Sequence, residues 1–97
     1  MTFLEAVKSL GETPEEVLLA LREKGVKGYR RMAGSCPVAR YLNACGFPNV
    51  TVCTSAKCYR DGSKEAESEQ SIYLPVGVQK WIADFDDGKY PEFWLDG

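Results

Sequence analysis

The apolar residues of this chain change period twice. They recur at helical spacing as far as Cys45, alternate with a period of two from Val50, and return to helical spacing at Val78. A helix gathers residues i, i+3, i+4 and i+7 on one side and a strand gathers i and i+2, so the two patterns cannot share one element. Helical blocks at both ends with a strand block between them predict an α+β fold of four short helices and a small antiparallel β-sheet, in the order α-α-α-β-β-β-α. With 97 residues, one core is expected to serve residues 1–97 as a single domain.

The helix boundaries are written in local chemistry. Thr2 and Glu5, then Thr13 and Glu16, stand at the spacing in which hydroxyl and carboxylate satisfy free backbone N–H groups at a helix start. Pro14 falls where no N–H is needed, and Gly11 and Gly25 end the two helices. Ser35 is expected to cap a third helix carrying Val38, Tyr41, Leu42 and Cys45. The last helix opens at Pro75, carries Val78, Trp81, Ile82 and Phe85 on one face, and stops at Gly88. Leu18, Leu21, Leu42, Val52, Trp81, Ile82 and Phe85 are the expected core.

In the strand block, Val50 and Val52 should point one way and Thr51 and Cys53 the other. Residues 54–57 read as a turn, residues 58–60 as a return strand and residues 70–74 as a third extended segment. Residues 61–69 hold too little apolar surface to offset the entropy of ordering, and a mobile loop is expected there.

No apolar run approaches the roughly 18 residues that cross a bilayer, and the first residues lack the layout of a signal peptide. A cytoplasmic protein with four free thiols and no membrane partner is the expectation. Residues 1–60 carry nine Lys/Arg against five Asp/Glu, and residues 61–97 three against nine. Such a dipolar chain suits a partner of mixed charge.

The chain has no histidine, which removes the commonest general base and the Ser-His and Cys-His pairs. Catalysis is therefore not expected. Cys36 is the one candidate nucleophile, a thiol at a helix start with Arg40 one turn later, set against its reading as a small buried packing residue. Cys36, Cys45, Cys53 and Cys58 lack the paired spacing of a zinc site, so neither metal nor cofactor is expected. The basic stretch Lys24, Lys27, Arg30, Arg31 and Arg40, with Tyr29 among them and Asn43 beyond, is the strongest signal for nucleic acid. Asp84, Asp86 and Asp87 crowd the last turn of a helix, where the dipole disfavours them, and read either as a dock for cations or for the protein's own basic loop.

The stretch Ser35-Cys36-Pro37-Val38-Ala39-Arg40-Tyr41-Leu42, and Leu74-Pro75 with Trp81-Ile82, Phe85-Asp86, Gly88 and Tyr90-Pro91-Glu92, resemble segments of a group of short proteins from actinobacteria and their phages. The resemblance runs in order along nearly the whole chain. It implies a bacterial or bacteriophage cytoplasmic protein and marks Cys36, Arg40, Asp86, Gly88 and Tyr90, without implying an activity. The longer segment 61–69 departs from the group's pattern.

Tyr90, Phe93, Trp94 and Leu95 place much apolar surface in one terminal segment, which either folds back or meets a partner. The expected function is a non-enzymatic protein-binding accessory module whose partner is a host protein or a second copy, with Arg30, Arg31, Arg40, Asp86, Tyr90, Phe93 and Trp94 as its binding residues. The alternatives are a nucleic-acid-binding regulator using the basic stretch and a small thiol-dependent enzyme using Cys36.

Overall fold

The computed structural model describes residues 2–59 and 69–95, and shows α1 (Phe3–Lys8), α2 (Pro14–Lys24), α3 (Pro37–Ala44), β1 (Thr51–Val52), β2 (Ser55–Tyr59), β3 (Glu69–Tyr73), α4 (Val76–Asp86) and a final 3-10 turn (Pro91–Phe93). The expected α+β order holds. Of the segment expected to be mobile, only Glu69 lies among the described residues, where it opens β3.

Both capping boxes form: the Thr2 and Thr13 hydroxyls accept from the N–H groups of Glu5 and Glu16, whose carboxylates accept in return. Gly25 closes α2 at φ 72°. The third helix starts one residue later than Ser35, because Cys36 takes the cap position and Pro37 the first turn. Ser35 is instead part of the preceding loop, accepting from Tyr29 N–H and donating its own N–H to Met32 O.

The sheet is antiparallel in the order β1-β2-β3, with Val52 opposite Ala56 and Ala56 opposite Ile72. Residues 55–57, expected in a turn, belong to β2, since the chain reverses already at Cys53 and Thr54. The strand alternation is as read: Val50 and Val52 are buried, Thr51 and Cys53 exposed.

One core joins all four helices to the inner sheet face, and Leu21, Leu42, Val52, Trp81, Ile82 and Phe85 lie in it. Leu18 does not: it is half-buried at the flank of α2, because Val17 and Leu21, four residues apart, take the inward face. Gly77 is where α4 meets the turn before α2. A Cβ there would collide with the Glu12 carbonyl and come within 2.7 Å of Thr13 Cα. No helix among the described residues is long and apolar enough to cross a membrane.

Candidate functional site

The terminal aromatic segment folds back on its own domain. Tyr90, at φ 57°, stacks on Trp81 at 4.9 Å, and Phe93 meets the same indole edge-on at 5.7 Å. Phe93 is buried, Trp94 half-buried, and the Trp94 indole N–H donates to Lys89 O. Gly28 N–H donates to Phe93 O, and Leu95 N–H to Gly28 O, which stitches the tail beside the basic loop. Gly28 is required by the close passage of its backbone against the start of α3, as a Cβ would meet the Cys36 carbonyl carbon at 2.6 Å. Phe93 thus joins the protein's own core, while Tyr90 and Trp94 pack at its edge and remain half-exposed.

The basic loop is held from the other side. Arg30 lays its guanidinium over Trp94, 4.1 Å from the ring centre. Arg31 adopts a left-handed backbone, φ 62°, and its N–H donates to Asp86 Oδ1 at 2.8 Å. Asp86 therefore docks the protein's own loop. Asp84 is engaged by Lys80 at 3.3 Å and Lys89 at 3.7 Å, so two of the three carboxylates at the end of α4 have local partners that offset the dipole. Arg22 pairs with both oxygens of Glu92, tying α2 to the tail across an exposed surface.

Two depressions flank residues 26–36. The first, about 740 Å³, runs between that loop, the β1–β2 reversal and α4. Cys36, Val52 and Ile82, all nearly inaccessible, form its floor, while Met32 and Val76 stand at its lips with 52% and 80% of their surface in water. Tyr73, three residues before Val76, is 83% exposed. Arg31, Lys80 and Asp86 supply polar points along it. Met32 and Val76 were not singled out in the sequence. The available signal was Val76 with Ala83, which fall off the inward stripe of α4 and share a second face with Gln79 and Lys80.

The second depression, about 640 Å³, is lined by Lys27, Arg40, Asn43 and Leu95 together with Gly25, Val26 and Gly34. Arg40 lies 5.8 Å from the Tyr29 ring centre, and Lys24 stands over Tyr41 instead. The five cations of the basic stretch thus do not form one track.

Cys36 is 2% exposed. Burial pushes its thiol up to about 11, and the N–H groups of Ala39 and Val38, which favour the thiolate, offset only part of that. The unfolded thiol titrates near 8.5. Below that pH its contribution to stability is fully present. As pH rises from there towards 11, the unfolded chain gives up its proton while the folded chain keeps it, so stability falls. Cys58 and Tyr90 are shifted upward by burial as well, and add in the same direction. Denaturation midpoints measured from pH 7 to 11 should decline, and Cys36→Ala should flatten that decline. Thiol labelling of the folded protein at neutral pH should find the exposed Cys53 and pass over Cys36; fast alkylation of Cys36 would restore it as a nucleophile.

All four cysteines are free, and Cys53 and Cys58 lie on opposite sides of the hairpin, one exposed and one buried. Among the described residues no three acidic or cysteine side chains gather as metal ligands would. No known protein family, curated protein or solved structure matches the chain.

Proposed function

We infer that the protein is a binding module without catalytic chemistry of its own, which receives an apolar segment of another protein in the groove between α4, the β1–β2 reversal and the loop before α3. The observation that carries this reading is the pair Met32 and Val76, held in water at the lips of a groove whose floor is apolar. Methionine at a lip suits such a role because its unbranched side chain adapts to the shape laid against it. The absence of histidine and the raised Cys36 thiol support the non-catalytic half of the reading.

The reading places docking in the groove rather than on the aromatic tail, because Tyr90 and Phe93 pack against Trp81. Replacing Phe93 would disturb folding and docking together. The test therefore compares the wild type with Met32→Glu/Val76→Lys and with Lys27→Gln/Arg40→Gln, in affinity capture from a native extract before and after nuclease. A discrete protein that survives nuclease and is lost only with the groove variant is expected. Capture of nucleic acid that weakens steeply with salt and fails only for the Lys27/Arg40 variant would replace this reading with the nucleic-acid one.

A further inference from the structure

The depression on the other side of the loop has a different chemistry from the groove. Lys27 and Arg40 are thirteen positions apart in sequence and meet because α2 ends at Gly25 and the chain returns through residues 26–36 into α3. Arg40 and Asn43, three residues apart, share one helix face, as i and i+3 must. Beside them the space over the backbone is open: a Cβ at Gly25 would meet nothing within 4 Å, and one at Gly34 nothing nearer than 3.8 Å. Leu95, 44% exposed, supplies one apolar wall.

The charge balance of this lining is one-sided. Among the described residues it contains no carboxylate. Arg22 pairs with Glu92 and both Lys80 and Lys89 with Asp84, whereas among the described residues Lys27 and Arg40, like Lys8, Lys24 and Arg31, form no ion pair; of these, Lys27 and Arg40 are the two that line one depression. Two cations without an ion pair among the described residues, facing one concavity, raise the local positive potential and concentrate anions there. A guanidinium offers paired N–H donors matched to phosphate oxygens, an ammonium a mobile point charge, and an amide a further neutral donor. The volume is within the range of pockets that take small organic ligands.

We propose that the depression formed by Lys27, Arg40 and Asn43 is a binding site for a phosphate group carried on an organic body, with the body resting towards Leu95. This site is separate from the apolar groove and does not depend on the protein-docking role. The phosphate can belong to a free mononucleotide-sized metabolite or to a nucleic-acid backbone, and the recognition chemistry is the same.

The experiment titrates purified, full-length protein with pyrophosphate, adenosine 5′-monophosphate, adenosine and a short single-stranded oligodeoxythymidylate, following amide resonances and the heat of binding. Saturable binding of the two small phosphates but not of adenosine is expected, with shifts centred on Lys27, Gly34 and Asn43. Lys27→Gln/Arg40→Gln should weaken it at least about tenfold, the loss of roughly one good charge-assisted contact. Lys8→Gln/Lys89→Gln makes the same charge change outside the depression and should leave binding within about twofold. Both pairs are exposed, and unchanged melting verifies their folding. Oligonucleotide binding much tighter than that of the mononucleotide, abolished by the same variant, assigns the phosphate to a nucleic-acid backbone. No saturable binding at up to about 10 mM small phosphate, or equal weakening by both double variants, overturns the proposal.

Discussion

Trp81→Ala is expected to lower the unfolding free energy by about 3–5 kcal/mol, a large share of the total for a domain of this size. Trp81 is fully buried, stacks on Phe85 at 5.3 Å and Tyr90 at 4.9 Å, and meets Phe93 edge-on. Its removal leaves three aromatic rings facing a cavity, and with Tyr90 and Phe93 the anchorage of the whole tail. Chemical denaturation followed by circular dichroism measures the loss. Trp81→Phe should cost less than half as much, for a reason beyond ring size. The indole Nε1 is buried without a partner, so the native residue already carries an unsatisfied donor, typically a penalty of about 1–3 kcal/mol, which phenylalanine lacks. A wild-type midpoint for the alanine variant would show that the tail is not held by this indole.

Gly77→Ala should destabilise the protein by at least about 2 kcal/mol, although glycine to alanine in the first turns of a helix ordinarily stabilises by up to about 1 kcal/mol. The sign is reversed by the close approach of α4 to the turn before α2. A methyl group on residue 77 would collide with the Glu12 carbonyl and press on Thr13, and neither can yield, because the Thr13 hydroxyl and backbone are engaged in the capping box with Glu16. Relief requires α4 to move away from α2, which opens the core along Val17, Leu21, Val78 and Trp81. Melting temperature distinguishes the outcomes directly. An increase would mean that the two elements do not approach as closely as these contacts require.

The same contrast runs through the whole molecule. Capping chemistry, helix-stopping glycines and the change of period act between residues a few positions apart, so the four helices, three strands and their order were legible from the chain. The errors were local too. Ser35 has the right chemistry for a helix cap, but its carbonyl is drawn to Tyr29 and the cap passes to Cys36. Residues 55–57 look like a turn, yet pairing of Ala56 with both Val52 and Ile72 places them in the central strand. Leu18 and Leu21 are equally apolar, and only the position of α3 and α4 decides which one is buried.

The candidate sites were less legible, because charge and aromaticity in a sequence do not say what they face. In the sequence Tyr90, Phe93 and Trp94 are compatible with a folded-back tail or with a partner, and in the fold they face Trp81, Lys89 and Arg30. In the sequence Asp86 suits a foreign cation and the protein's own loop alike, and the Arg31 N–H decides for the loop. Lys27 and Arg40 belonged to an undivided basic stretch until the return of the chain set them in one depression and turned Lys24 and Arg30 onto aromatic rings. Met32 and Val76 carried no sequence signal strong enough to mark a lip, since exposure is a property of what is absent around a residue. What the sequence by itself determined was the set of elements, because their rules are short-range. Which side chains remain free to meet another molecule was decided only by tertiary packing, because it depends on residues 55 and 70 positions away.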